Sequence, residues 1–186
     1  YPRAVLLPIK SRNNQYVVVE NDNYWRLFPF ISNTLTYNQV DTAGQAYAAA
    51  FAFGEYTNYL NDFEAHSLQV TIPNFHNTNL RYQQFLAAIK HGIKGRKKKA
   101  QTAIDKLLTY HYLLARTKGV KLPLRVTHND TKINNVLFDK TSEKAVCVID
   151  LDTLMPDTLL YDYGDMVRTF TPPVDENSAN FEKVYV

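Results

Sequence analysis

The sequence is poor in cysteine and has no long hydrophobic run. Its single cysteine, Cys147, lies inside an apolar, strand-like segment, which excludes a disulfide framework and favours a reducing, cytoplasmic compartment. The longest apolar stretch, AYAAAFAFG at 46–54, is too short to span a bilayer. We therefore predict a cytoplasmic protein without a membrane partner.

An excess of charge of one sign is also missing. The net charge is +3 and the pI about 8.8, a balance that by itself favours neither a nucleic-acid nor a membrane surface. The one basic run, KGRKKK at 94–99, has no interleaved aromatic residues, so we expect a solvated loop there. A nucleic-acid surface centred on Lys97–Lys99 is a remote alternative. None of the six glycines, at positions 44, 54, 92, 95, 119 and 164, forms a glycine-rich loop beside a strand.

Apolar residues are plentiful enough for a core. The 186 residues are 45% hydrophobic and 13% aromatic, which is consistent with one domain, or one domain and part of another. The sequence begins near AVLLPI and ends in FEKVYV, both strand-like, so we expect neighbouring chain to be missing at each end.

The N-terminal part of the sequence has the pattern of β-structure followed by a helix. YPRAVLLPIK predicts a strand, and QYVVVE and YWRLFPFI predict a hairpin across NDN. Asp41 and Thr42 offer the N-cap of a helix through residue 63, with Tyr47, Phe51 and Gly54 expected on its packed side.

Helices and three short strands are predicted in the remainder. One helix is expected from Thr78, as N-cap, through LRYQQFLAAIKHG, and one through AQTAIDKLLTYHYLLART. LPLRVT, NVLFD and AVCVID are the strands, with KTSEK as a hairpin turn, and DTLLYDYGDMVRTF is a helix that ends before Pro172. The order predicts an α+β, two-lobed fold: residues 1–35 hold the end of a β-rich lobe and a hinge, and residues 36–186 a helical lobe.

A polar cluster, RVTHNDTKINNVLFD at 125–139, interrupts the strands. Asn135 starts one strand of the hairpin and Asp150 follows the other, so the two are expected side by side. An amide oxygen and a carboxylate suit Mg²⁺, which shares its remaining ligand positions with phosphates and water. Asp130 would then accept a proton from an attacking hydroxyl, and Lys132 would neutralise charge on a transferring phosphoryl group. A capped, purely structural loop is the alternative.

The spacing His128-x-Asp130-x-Lys132-x-x-Asn135, followed by a hairpin and Asp150, resembles the protein-kinase catalytic loop. HND in place of HRD, and IDLD in place of DFG, resemble the aminoglycoside phosphotransferase and choline kinase side of that superfamily. The run THNDTKINNVLFD…VIDLDTLMP…YDYGDMVR is most similar to the N-acetylhexosamine 1-kinase group, and YWRLFPFI and IPNFHNT extend the likeness over most of the chain.

The resemblance implies a protein-kinase-like fold, of which the chain holds the end of the N-lobe and much of the C-lobe. It implies that Asp130 is the catalytic base, assisted by Lys132, and that Asn135, Asp150 and Asp152 are metal ligands or neighbours of the metal. In LFPFI the resemblance implies a hinge at which ATP binds through backbone groups. The positions concerned are Phe28, Phe30 and Ile31.

Structural roles are implied for the remaining polar residues of these motifs. His128 would brace the loop. Asp162, Asp165 and Arg168 would support it from the following helix, although the two acids also suit a helix N-terminus without any such role.

The function expected from the sequence is ATP- and Mg²⁺-dependent phosphorylation of a small molecule, most specifically the anomeric hydroxyl of an N-acetylhexosamine. A related kinase for choline, homoserine, an aminoglycoside or another sugar is the first alternative. A non-catalytic kinase-like binding module is the second; the four matched residues speak against it, and the missing glycine-rich loop speaks for it. A nucleotide and a small-molecule substrate are the expected partners, and nucleic acid is not.

Overall fold

The computed structural model describes residues 6–117 and 121–174. The strands in this part of the chain are β1 (Val18–Glu20), β2 (Asn23–Trp25), β3 (Thr34–Leu35), β4 (Arg125–Thr127), β5 (Val136–Asp139), β6 (Ala145–Val148) and β7 (Met155–Asp157). The α-helices are α1 (Ala43–Tyr59), α2 (Thr78–His91), α3 (Lys94–Lys99), α4 (Gln101–Thr109), α5 (Tyr112–Thr117) and α6 (Leu159–Phe170). Single 3₁₀ turns cover Ala65–Ser67, Ile133–Asn135 and Leu151–Thr153.

The chain divides into two compact units. One consists of residues 1–71 and 124–186, and the other of residues 72–123. The first unit contains all seven described strands together with α1 and α6, and the second contains α2 to α5.

The predicted N-terminal hairpin is confirmed, in shorter form. β1 pairs antiparallel with β2, with Val18 opposite Trp25. Asn21 and Asp22 between them have φ of 50° and 60°, the conformation of a tight hairpin turn, which Asn and Asp tolerate well. Of the first strand, expected over residues 1–10, residues 1–5 lie outside the described residues, and among residues 6–10 Ile9 makes only an isolated bridge with Leu27.

Helix α1 begins at the predicted cap but packs through a different side. The Thr42 hydroxyl accepts the Gln45 N–H and the Gln45 side chain accepts the Thr42 N–H, which forms a capping box. Tyr47 and Phe51, expected on the packed side, are exposed and stack on each other, and Gly54 is exposed too. The buried positions are Ala49 and Phe53. The prediction was wrong because apolar residues lie all round this alanine-rich helix, so its pattern does not define one face.

The core of the first unit lies between α1 and a three-stranded antiparallel sheet. The sheet has the order β3-β5-β6, and β4 pairs separately with β7, which the sequence pattern did not reveal. The six fully buried core residues come from α1, the 3₁₀ turn within the polar cluster, β5 and β6: Ala49, Phe53, Ile133, Val136, Phe138 and Val148. The polar cluster is therefore anchored directly in this core.

The second unit is helical as predicted, with three corrections. Asn77, rather than Thr78, caps α2, since its side chain accepts the Leu80 N–H at 3.0 Å. The basic run Lys94–Lys99 is the short helix α3 and not a loop. The long helix expected through residues 100–117 is divided into α4 and α5 at Tyr110.

The lobe boundary predicted between residues 35 and 36 stays a prediction. Thr34 and Leu35 pair with Asp139 and Phe138, so the strand at this boundary already belongs to the central sheet. Among residues 6–117 and 121–174, no helix has the length and apolar character needed to cross a membrane.

Phe138→Ala should lower the free energy of unfolding by about 3–5 kcal/mol, because the side chain is fully buried and its removal leaves a cavity under the polar cluster. Chemical denaturation measures the change. Phe51→Ala, at a position that is 56% exposed, is the matched control and should cost less than about 1 kcal/mol. Equal losses in the two variants would contradict the assigned core.

Candidate active site

The β5–β6 hairpin brings the two ends of the predicted metal site together. Val136 pairs with Val148 at the open end of the hairpin, and the Ile149 N–H donates to the Asn135 carbonyl at 2.9 Å. Asn135 and Asp150 therefore leave the hairpin at the same end, as the sequence pattern predicts.

The Asp130 carboxylate is oriented by two neighbours in its own loop. Lys132 Nζ lies 3.2 Å from Asp130 Oδ1, and Asn135 Nδ2 donates to Asp130 Oδ2 at 3.0 Å and to the Asp130 carbonyl at 2.8 Å. The Asp130 and Lys132 side chains are 23% and 24% exposed, so both remain accessible to a small ligand. The three residues expected to act together do meet in the structure.

A buried carboxylate from α6 holds the loop in place. Asp162 Oδ2 accepts the His128 N–H at 2.9 Å, Asp162 Oδ1 accepts the Asn129 N–H at 2.7 Å, and the Thr131 hydroxyl donates to the Asp162 carbonyl at 2.7 Å. Burial raises the pKa of the Asp162 carboxyl above its ordinary value, while the two N–H donors and His128 act in the opposite direction. Asp162 thus fixes the backbone immediately before Asp130.

His128 lies buried between the loop and α1. Its Nε2 is 2.9 Å from the Ile149 carbonyl, and its ring packs edge-on against Phe53 and Tyr56 at centroid distances of 5.3 and 6.2 Å. Burial, with Asp162 and then Cys147 nearby, raises the pKa of Tyr56 to about 12. The histidine therefore connects the catalytic loop to the end of β6 and lies 1% exposed, away from solvent.

The turn after β6 is tied to the same loop. Asp150 adopts a left-handed conformation, with φ 60° and ψ 59°, and starts the 3₁₀ turn Leu151–Thr153. The Thr153 hydroxyl donates to the His128 carbonyl at 2.7 Å, and Asn129 Nδ2 donates to the Thr153 carbonyl at 3.0 Å. Asp152, predicted as a metal ligand, has its carboxylate 2.7 Å from an Arg26 guanidinium nitrogen.

The donor set suits a Mg²⁺ ion bound mainly through oxygen. The Asp150 side chain is exposed and makes no hydrogen bond or ion pair with any described residue, and the Asn135 amide oxygen remains available because its nitrogen faces Asp130. Within the described ranges, no three His, Cys, Asp or Glu side chains form a metal-binding group. One carboxylate and one amide, completed by phosphate oxygens and water, is a ligand set that Mg²⁺ accepts.

The predicted hinge is a short irregular segment between β2 and β3. Phe30 is 92% exposed, Phe28 and Ile31 are half-buried, and the Ile31 carbonyl accepts the Thr34 hydroxyl at 2.7 Å. In the described part of the chain, the Phe28 and Phe30 N–H groups donate to no backbone carbonyl. Their role in binding adenine stays a prediction.

The other predicted supports differ in what they contact. Unlike Asp162, Asp165 forms an ion pair within α6, with Arg168 Nε at 2.8 Å and a terminal nitrogen at 2.6 Å. Residues that the motif did not identify also hold the loop: Thr131 and Thr153 through their hydroxyls, and Asn129 at φ 66°. Of these three residues, only Asn129 carries a signal in the sequence, because Asn tolerates the left-handed region better than most residues do.

Asp162→Asn should lower the free energy of unfolding by about 1–3 kcal/mol, because an amide has one acceptor oxygen and its NH₂ would face one of the two buried N–H donors. Urea denaturation checks this. Asp62→Asn, an exposed carboxylate-to-amide change, is the control and should be neutral. Unchanged stability in Asp162→Asn would show that the loop does not depend on this carboxylate.

Two solved structures are similar to this chain. Spectinomycin phosphotransferase, in complex with ADP and spectinomycin, is 14% identical with a TM-score of 0.53, over 86% of this chain and 51% of that one. Aminoglycoside 2'-phosphotransferase-IIIa, in a GDP complex, is 17% identical with a TM-score of 0.58, over 83% and 53%. The chain spans about half the length of each. At these identities the likeness shows the fold, and the predicted kinase-like α+β fold, present in part, is confirmed.

The family comparison covers nearly the whole chain. A model described as the phosphotransferase enzyme family (APH) matches residues 5–182 of the 186. The narrower resemblance to N-acetylhexosamine kinases is not decided by this match. The chain therefore belongs to the phosphotransferase enzyme family.

Proposed function

We propose that the protein transfers a phosphoryl group from ATP, with Mg²⁺, to a hydroxyl group of a small molecule, and that this is the anomeric hydroxyl of an N-acetylhexosamine. The observation that carries the proposal is the arrangement around Asp130. Its carboxylate is partly exposed, is contacted by Lys132 and Asn135, and follows a backbone segment held by Asp162. This is a fixed, accessible base beside an amide and a cation.

In this proposal Asp130 accepts the proton of the attacking hydroxyl. Lys132 at 3.2 Å and Asn135 at 3.0 Å limit the rotation of the carboxylate, so one orientation is presented to the acceptor. Lys132 is also positioned to offset negative charge on the transferring group. Phosphoryl transfer depends mainly on such positioning and charge stabilisation.

Asn135 Oδ1 and the Asp150 carboxylate would hold Mg²⁺. Held there, Mg²⁺ would supply positive charge that offsets the negative charge of the phosphate groups. Asp150, in the left-handed conformation, lies at the open end of the hairpin. Asn135 lies at the same end, where its carbonyl accepts the Ile149 N–H. Backbone groups of Phe28, Phe30 and Ile31 would bind the adenine.

The acceptor is proposed from the sequence resemblance to N-acetylhexosamine kinases. The two similar structures contain ADP with spectinomycin, and GDP, so both proteins bind a nucleotide and one binds a small hydroxylated ligand. Kinases for choline, homoserine or an aminoglycoside are the alternatives within the same chemistry. A non-catalytic module would keep the fold without turnover.

The central test is Asp130→Asn in the full-length protein. With Mg-ATP and N-acetylglucosamine, phosphorus NMR should detect a sugar 1-phosphate for the wild type, and the variant should be slower by roughly 10²–10⁴-fold because the base is removed. Asp62→Asn is the control that keeps activity. ADP formation without the sugar phosphate would show that the acceptor is a different molecule. Unchanged turnover in Asp130→Asn would refute the mechanism.

Metal binding is tested separately from turnover. Asp150→Asn should weaken the gain in ADP affinity that Mg²⁺ provides by roughly tenfold or more, since a hard cation loses its only proposed carboxylate ligand. Calorimetry of ADP binding with Mg²⁺ and with EDTA measures that gain, and Asp62→Asn is again the control. An undiminished gain in Asp150→Asn would exclude this residue as a ligand.

A further inference from the structure

An ion pair joins two segments that the proposed function treats separately. An Arg26 guanidinium nitrogen lies 2.7 Å from Asp152 Oδ2, although the residues are 126 positions apart in sequence. Arg26 directly follows β2 and leads into the hinge segment proposed to bind adenine. Asp152 follows Asp150, the proposed metal ligand, by two residues. This one contact therefore joins the segment proposed to bind the nucleotide to the turn that carries the proposed metal ligand.

Arg26 is held on the nucleotide side by its neighbours. Its guanidinium lies over the Phe28 ring at 5.7 Å from the centroid, and the adjacent Leu27 carbonyl accepts the Ile9 N–H at 2.7 Å. A cation over an aromatic face is favourable, so the side chain is directed along the hinge segment even before Asp152 is considered. If Phe28 moved on nucleotide binding, the position of the Arg26 guanidinium would change with it.

Asp152 lies in a turn that is held through backbone and neighbouring groups, while its carboxylate contacts Arg26. The Thr71 hydroxyl donates to the Asp152 carbonyl at 3.3 Å, and Thr153 is hydrogen-bonded to the catalytic loop. The same turn begins with Asp150 at φ 60°, a left-handed conformation that Asp adopts more readily than most other non-glycine residues. The position of the turn therefore sets the direction of the Asp150 carboxylate.

We propose that Arg26 is a positioning residue whose ion pair with Asp152 couples nucleotide binding at the hinge to the orientation of Asp150. The inference rests on the proposed function. It assigns Asp152 a different role from that of a metal ligand: the carboxylate acts through Arg26, and nucleotide and Mg²⁺ bind cooperatively as a result.

The size of the effect follows from exposure. The two side chains are 43% and 60% exposed, and ion pairs in such surroundings change an equilibrium constant by up to roughly fivefold. Salt screens exposed pairs, so the effect should decline at high ionic strength. A direct ligand of Mg²⁺ would behave differently, since its loss would weaken metal binding more strongly and at any salt concentration.

The test is a double-mutant cycle on the full-length protein, read by calorimetry of ADP binding with Mg²⁺ and with EDTA. Arg26→Gln and Asp152→Asn should each reduce the Mg²⁺-dependent gain in affinity by roughly two- to fivefold, and the double variant should lose no more than either single variant. ADP affinity in EDTA should change less than this gain does. Arg12→Gln, an exposed arginine without a described ion pair, is the matched control. The reversed pair, Arg26→Asp with Asp152→Arg, should recover part of the gain.

Several results would overturn the inference. Additive losses, or no loss in Arg26→Gln, would show that the pair does not couple the two sites. A loss above roughly tenfold in Asp152→Asn alone, independent of salt, would identify Asp152 as a metal ligand instead. Wild-type protein that binds ADP without any gain from Mg²⁺ would refute this inference and the metal site together, whereas normal wild-type behaviour with unaffected variants would refute the inference alone.

Discussion

The buried Asp162 carboxylate, which accepts the backbone N–H groups of His128 and Asn129, is the interaction on which the catalytic loop depends. Buried peptide N–H groups require acceptors, and two that converge from consecutive residues need a group with two acceptor oxygens. A carboxylate meets this need in the space of one side chain. These bonds offset part of the cost of desolvating the carboxylate, and the loop is thereby attached to α6 just before Asp130.

The other end of the loop is attached by apolar packing. Ile133 and Val136 are fully buried against α1 and the sheet, on either side of the two asparagines. Only residues 130–132 lie between Asn129, whose N–H is bound by Asp162, and the buried Ile133. The backbone of Asp130 and Lys132 therefore has little freedom, and their side chains have more. The turn with Asp150 is bound to the same loop through Thr153. Loop, hairpin and following turn thus form one continuous structure around the proposed reacting groups.

The elements that sequence predicted well are those specified locally. The Asn21-Asp22 turn, the Thr42 cap and the turn between β5 and β6 each depend on residues a few positions apart. The convergence of Asp130, Lys132 and Asn135 likewise follows from their spacing in one loop.

Long-range features escaped prediction for a physical reason. The β4–β7 pairing joins Thr127 to Met155, which no local pattern reveals. Arg26 and Asp152 are 126 positions apart and meet only through the fold. The buried face of α1 was mistaken because alanine, which is compatible with either environment, occupies so many of its positions.

The hairpin geometry has a consequence for how such sites are recognised in other sequences. Fourteen residues separate Asn135 from Asp150, yet the hydrogen bond from Ile149 to Asn135 closes the hairpin at the end where both lie. The opposite end, around residues 140–144, is exposed. The pairing already contains one irregularity, since its register shifts between Leu137 and Phe138 while Val136 still lies opposite Val148. Residues inserted at the exposed turn would likewise leave Asn135 and Asp150 at the same end of the hairpin. The interval between the two residues can therefore vary in length without separating their side chains.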